Sequence, residues 1–306
     1  VAEAQIPPEG GQRGGWLPFA LMALIVAGVG FSVALLLGGD QEDGGGIKRA
    51  RGERVAVVSI DGLIVDSEPI RKALRIVEKR DNVAAVVVRV DSPGGAVGPS
   101  QEIYQMLREY PKPVVVSMRA IAASGAFYLA SAADRVLANA GTLTGSIGVI
   151  MQFLDLSDLL EWAKIGMNVI KTGPFKDTGA SHRSMSVTEQ TYMQSLADEV
   201  LAQFVADVAA GRAAAGVTDV AVAQYADGSI FTGQTALERG LIDEIGNFET
   251  AVSAAASLAG IEGEPKLFRP RVREQWWTRV LEEGLDAPVG WRGAAVPLWA
   301  VWTPAP

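Results

Sequence analysis

The 306-residue sequence contains no cysteine and a single histidine, His182. The absence of Cys excludes disulfide scaffolds, thiolate zinc sites, cysteine nucleophiles and redox pairs. One His leaves almost no room for a multi-His metal centre and little for a His-based triad. Positive charge is also scarce: 27 Lys and Arg stand against 35 Asp and Glu, a net charge of −8. A chain of that sign lacks the basic face that phosphate contacts require, so nucleic acid is not an expected partner. Phosphate-binding glycine loops are missing as well, since neither G-x-x-x-x-G-K-[ST] nor G-x-G-x-x-G joins a strand to a helix. Neither G-x-S-x-G nor S-x-x-K occurs, and no tight carboxylate cluster suggests a metal cage, so no cofactor is expected.

What the chain does have is apolar residues, at 49% of the total. Residues 16–39 (WLPFALMALIVAGVGFSVALLLGG) carry no charge, and at about 1.5 Å per residue they span a bilayer core of about 30 Å. They read as a transmembrane anchor after an N-terminal tail over 1–15. A cleaved signal peptide is the competing reading, but the run is longer than an h-region of about 7–15 residues. Residues 40–53, opening with the acidic, Gly-rich DQEDGGG, read as a linker. Lys48, Arg49, Arg51 and Arg54 follow the anchor, and by the positive-inside rule alone they put the C-terminal side in the cytoplasm.

From residue 54 to 263 strand-length apolar runs alternate with helical periodicity, the pattern of βαβ units and a largely parallel sheet. Strands are expected at Val55–Ile60, Val83–Val90, Pro113–Met118, Arg135–Leu137, Ile147–Phe153 and Met167–Lys171. Helices are expected over Ile70–Lys79, Ser100–Tyr110, Ser124–Ala132 and Glu189–Ala210. The last carries Tyr192, Met193, Leu196, Val200, Leu201, Phe204, Val205 and Val208 on one face, which suits core packing or an oligomer seam. Residues 264–306 form a Trp- and Pro-rich tail whose Val272, Trp276, Trp277, Val280 and Leu281 fit one helical face. That face could lie in a membrane interface or on the globular body.

Two strand ends suggest chemistry. Asp91-Ser92-Pro93-Gly94-Gly95 follows the strand Val83–Val90, and a Pro-Gly-Gly turn can turn backbone N–H groups outward with no Cβ in the way. Ala122-Ala123-Ser124-Gly125-Ala126 follows the next strand and opens a helix. A Ser there is ordinarily a cap, yet with small neighbours and free helix N–H groups it also suits a nucleophile. Both segments lie at carboxyl ends of parallel strands, where α/β folds place ligands, and together they point to acyl transfer. A serine nucleophile needs a base. His182 lies in the polar run 178–186 and reads as a solvated loop residue. The remaining base type is a lysine, in the Ser-Lys variant of the triad. Lys176, within Thr172-Gly173-Pro174-Phe175-Lys176-Asp177, is the best placed, with Lys171 its nearest rival.

Four segments carry a family resemblance: Val88–Gly95 (VRVDSPGG), Ala123–Tyr128 (ASGAFY), Leu143–Val149 (LTGSIGV) and Phe231-Thr232-Gly233 through Gly240-Leu241-Ile242-Asp243. In this order they resemble the signal peptide peptidase A (SppA) family in its short single-repeat form, over residues 54–260 and the anchor. The resemblance implies a ClpP/crotonase-like α/β fold of repeated ββα units and a serine endopeptidase with a Ser/Lys dyad that degrades hydrophobic peptides such as cleaved signal peptides. By position, Ser124 matches the nucleophile, Lys176 the general base and Ser146 the hydroxyl that orients the lysine. Gly95 and Gly125 match the oxyanion-hole amides, and Tyr128 is a candidate substrate-binding residue. The family further implies a homo-oligomeric ring, an octamer, with dyads completed between neighbouring subunits. It places the protein in the inner (cytoplasmic) membrane as a single-pass protein, with its catalytic domain on the extracytoplasmic face, against the charge count above. The chain departs from the family at Ala126-Phe127, where Gly-Tyr is common, and at Phe175, where Tyr is usual. An NfeD-type membrane peptidase and a crotonase-type CoA thioester enzyme are the alternatives.

Overall fold

The computed structural model describes residues 54–272, so the expected tail, anchor and linker over 1–53 and the Trp residues of the C-terminal tail lie outside the described residues. Among the described residues no helix is long and apolar enough to cross a membrane. The chain opens with strand β1 (Arg54–Asp61), helix α1 (Glu68–Glu78), β2 (Val83–Ser92), α2 (Val97–Arg108) and β3 (Val114–Ala123). It continues through α3 (Gly125–Ala130), β4 (Arg135–Ala138), β5 (Leu143–Gly145), α4 (Ser157–Trp162) and α5 (Val187–Gly211). The remainder is α6 (Asp219–Ala223), β6 (Ile230–Thr232), α7 (Gly233–Glu238), β7 (Glu244–Ile245), α8 (Phe248–Leu258) and β8 (Lys266–Phe268).

The strands form one mixed sheet in the order β6-β5-β3-β2-β1-β8. β1, β2, β3 and β8 are parallel, and among the described residues only β5 with β6 is antiparallel. β3 is long enough to take two partners along one edge, β4 beside Val115–Met118 and β5 beside Ile121–Ala123. The first half of β3 thereby anchors the sheet while its second half carries the chain out to the site. β8 pairs with β1, so part of the segment beyond residue 263 belongs to the sheet.

The unbroken apolar run Val83–Val90 has a direct structural cause: β2 is covered on both faces. Val86, Val88 and Val90 pack with Ile70, Leu74 and Val77 of α1 and Ile103 and Leu107 of α2. Ala85 and Val87 face the other way, against Ala251, Val252, Ala255 and Ala256 of α8. Each Val removed from water contributes about 1.5–3 kcal/mol, which makes this three-layer packing the main source of rigidity behind the strand ends.

Two expected strands do not form. Ile147–Phe153 and Met167–Lys171 lack strand geometry, and α4 between them buries no residue. Leu154 and Trp162 are 68% and 79% exposed, and Ile170 is fully exposed. An apolar run becomes a strand only where a neighbour takes its N–H and C=O groups, and no such neighbour runs beside these residues among the described part of the chain. The apolar face of α5 is fully covered only in its C-terminal half, where Phe204, Val205 and Val208 are buried; Met193, Leu196 and Val200 are half-buried and Tyr192 is exposed.

Candidate active site

The site begins where β2 runs out. The Gly94 N–H donates to Ser92 Oγ at 3.1 Å, which folds the chain back on itself with Gly94 at φ +104°. A Cβ on Gly94 would stand 2.7 Å from the Gly125 nitrogen and 2.8 Å from the Ala123 carbonyl, so only glycine fits. The next residue forms a single parallel bridge with Ile64: Ile64 N–H donates to Gly94 O at 2.9 Å and Ala96 N–H donates to Ile64 O at 2.8 Å. Those bonds use the amides on either side of Gly95. Its own N–H has no acceptor among the described residues.

β3 passes into α3 with one residue between them, Ser124, and that abrupt change of direction sets φ +52° and ψ −125°. For a residue with a Cβ this costs on the order of 1–3 kcal/mol, a strain that persists only where the surroundings enforce it. Here Ser124 N–H donates to Gly145 O at 2.8 Å, and Ser124 O accepts the Tyr128 N–H at 2.9 Å. The side chain does not cap α3, so the ordinary role of a Ser in this place is not taken up. The Gly125 N–H, first of the helix, also has no acceptor among the described residues. Gly95 N lies 3.4 Å from the point that a Cβ on Gly125 would occupy, and both glycines line the same cleft as Ser124. Donors fixed in this way can stabilise a tetrahedral oxyanion.

Ser124, Gly95, Gly125 and Tyr128 line one cleft, completed by Ser100, Gln101 and the apolar Val97, Val149, Val200 and Phe204. Such walls suit an apolar side chain placed beside the hydroxyl. Tyr128 is buried, and its hydroxyl donates to the Asp207 carboxylate. Its ring packs on Phe204 and Tyr104 at 4.8 and 5.1 Å. Burial first, and the bond to Asp207 second, push the Tyr128 hydroxyl well above the usual tyrosine value. Its contribution to the cleft is therefore the ring rather than the hydroxyl. Tyr104 holds the same turn of α5 by donating to Asp207 O at 2.7 Å.

Ser146 follows the glycine that accepts the Ser124 N–H, and it too has a positive φ, +50°, fixed by its N–H donating to Ser229 O at 2.8 Å. Lys176 is not among the residues lining the cleft. It is exposed, and Phe175 before it stacks on Tyr192 near the start of α5, with ring centroids 4.9 Å apart. The cleft is walled by Val200 and Phe204 of the same helix, about 12 and 18 Å further along its axis. Within one chain the structure thus gathers Ser124, Gly95, Gly125 and Tyr128, with Ser146 beside them, and places Lys176 apart.

Sequence reasoning did not single out Ser100 and Asp207, which meet Gly125 and Tyr128 through contacts between distant segments. It also passed over a charge cluster beside Lys176. Arg183 bonds both oxygens of Asp177, at 2.7 and 3.1 Å, and both oxygens of Glu189, at 2.5 and 2.9 Å. Glu189 closes a capping box with Ser186, whose S-x-x-E spacing is the one local signal for it. The Arg183 guanidinium is the first cause holding both carboxylates below their usual range. Among the described residues no group of three or more His, Cys, Asp or Glu could hold a metal ion.

Comparison with known proteins decides the family. The model for peptidase family S49 matches residues 106–262, about half of the chain. A Synechocystis protein named as a protease (slr0021) is 42% identical over 219 residues, covering 70% of this chain and 78% of that one. The chain belongs to peptidase family S49. It is also similar to Protease 4 of Haemophilus influenzae, 32% identical over 67% of this chain, and to the chloroplastic serine protease SPPA of Arabidopsis thaliana, 33% identical over 71%. It spans only 35% and 32% of those two longer proteins. The Clp protease model matches residues 57–152, the part that holds β1 to β3 and the Ser124 turn. This S49 member is accordingly a serine peptidase with a ClpP-like mixed α/β sheet.

Proposed function

We propose that this S49 peptidase is a membrane-anchored endopeptidase that cleaves hydrophobic peptides, cleaved signal peptides among them, through a Ser124/Lys176 dyad. The observation that carries the reading is the pair of free amides, Gly95 and Gly125, beside a strained serine whose hydroxyl is not used for capping. Ser124 Oγ attacks the peptide carbonyl as its proton passes to the neutral Lys176 Nζ. The Gly95 and Gly125 N–H groups bind the oxyanion, and the lysine returns the proton to the departing amine. Water, deprotonated by the same lysine, then releases the acyl group from Ser124. Ser146 orients the amine. The apolar cleft walls match a hydrophobic peptide.

Assembly into a homo-oligomeric ring completes the site. In support, Lys176 is not among the residues lining the Ser124 cleft of its own chain, and the large apolar side chains Leu154, Trp162 and Ile170 are left exposed. A neighbour seated there covers those side chains and brings its Lys176 to Ser124. Anchoring through residues 16–39, with the catalytic domain on the extracytoplasmic face, puts the cleft near peptides released in the membrane.

The test is cleavage of an apolar peptide by the full chain and by Ser124→Ala and Lys176→Ala. Loss of at least about a thousandfold in both supports the dyad, because each removes a member of one catalytic unit. Undiminished cleavage in either removes it.

A further inference from the structure

The segment from Lys171 to Ser186 is held without a hydrophobic core of its own. Between Lys171 and Arg183 no residue is buried, and turns take the place of regular structure. Leu156 N–H donates to Ser181 O and Ser184 Oγ donates to Asp155 Oδ2, both at 2.7 Å, which ties the far end of the segment to the residues before α4. What fixes the part around Lys176 is charge and one aromatic pair. Lys171 Nζ lies 2.5 Å from Asp177 Oδ1 and donates to Pro174 O at 3.2 Å. Arg183 grips Asp177 through both carboxylate oxygens, and its Nη2 also donates to the Asp177 backbone carbonyl at 3.2 Å. The other side of the same guanidinium is bidentate on Glu189, in the first turn of α5. Thr178 Oγ1 donates to Glu189 Oε1 at 3.2 Å. On the other side of Lys176, Phe175 stacks on Tyr192.

Both neighbours of Lys176 are therefore fastened to α5, Phe175 by its ring and Asp177 by its carboxylate and carbonyl. Lys176 itself forms no ion pair or hydrogen bond among the described residues. We infer that Arg183, bridging Asp177 to Glu189, is a positioning residue that holds the Lys176 backbone so that its amine projects in one direction from the end of α5. This inference rests on Lys176 being the general base. A planar guanidinium suits the task because one rigid fork meets two carboxylates bidentately, which a lysine ammonium cannot do. Proton transfer is steep in geometry, and a displacement of about 1 Å can cost about 100-fold in rate.

The experiment compares full-length wild type with Arg183→Gln, Arg183→Lys and Lys176→Ala on a fluorogenic peptide amide of apolar residues, with melting temperature and assembly size measured in parallel. The expected result for Arg183→Gln is a kcat about 10- to 100-fold lower with KM within about twofold, in a protein that melts and assembles as wild type does. Arg183→Lys keeps the charge between the carboxylates, and its kcat is expected to stay at least about fivefold below wild type. Wild-type kcat in either Arg183 variant overturns the inference. So does a loss of kcat that appears only together with a loss of melting temperature or assembly. Wild-type cleavage by Lys176→Ala refutes the dyad, and the positioning role falls with it; loss of cleavage there with an unaffected Arg183→Gln refutes the positioning role alone.

Discussion

The backbone N–H of Ser124 donates to the carbonyl of Gly145 at 2.8 Å, which ties the residue after β3 to the last residue of β5. Two serines with positive φ, Ser124 and Ser146, are thereby held on adjacent strand ends. The bond explains how a β-to-α corner can keep a side-chain-bearing residue at φ +52°. β5 is pinned on its far side by β6, and Phe231 of β6 fills the space where Gly145 has no side chain.

Strain of this kind has a measurable consequence. Ser124→Gly is expected to be more stable than Ser124→Ala by about 1 kcal/mol, since glycine alone adopts this backbone without steric cost. Urea unfolding of the two variants checks it. Equal stability, or a more stable Ala variant, means the corner is relaxed.

Tyr128→Phe separates a wall residue from a substrate reader. The ring stays in its cluster with Tyr104 and Phe204, while Asp207 loses its donor, so stability is expected to fall by about 1–2 kcal/mol. KM for an apolar peptide is expected to stay within about twofold, because the hydroxyl is already committed to Asp207. Steady-state kinetics and thermal melting give both values, and a large rise in KM assigns the hydroxyl to the substrate.

The Asp177–Arg183–Glu189 cluster predicts the behaviour of its loop in acid. Both carboxylates are held below their usual range, so near pH 4 the folded state binds fewer protons than the unfolded state. Their stabilisation is complete above about pH 5 and declines as the pH drops toward the folded values. Limited proteolysis within residues 171–186 is expected to accelerate in wild type between about pH 5 and pH 3. In Asp177→Asn cleavage is expected to be faster already at neutral pH and to change less with acid. Identical profiles contradict the clamp's role in ordering the loop.

Local pattern was enough for elements whose burial is decided nearby. The spacing of Ile70, Ala73, Leu74 and Val77 matches the buried stripe of α1 residue for residue, and Val83–Val90 lies within β2. The free amides of Gly95 and Gly125 have a local signal, because Pro-Gly-Gly and Ser-Gly occupy strand ends, where missing side chains expose amides. Periodicity was insufficient where a partner decides the outcome. Met167–Lys171 has the composition of a strand but no strand neighbour among the described residues, and the apolar face in the first half of α5 has the pattern of a buried face but is only partly covered. Lys176 combines both cases, since its sequence context suggests it as the base while its own fold leaves it outside the Ser124 cleft.

That separation makes the central claim directly testable by mixing subunits. Ser124→Ala and Lys176→Ala chains, each expected to be inactive on an apolar peptide, are co-expressed and purified as one assembly. If each site takes Ser124 from one subunit and Lys176 from its neighbour in a closed ring, random mixing restores about a quarter of the wild-type rate. No recovery in an assembly shown to contain both chains, or full activity in either variant alone, contradicts a Ser124/Lys176 site shared between neighbours.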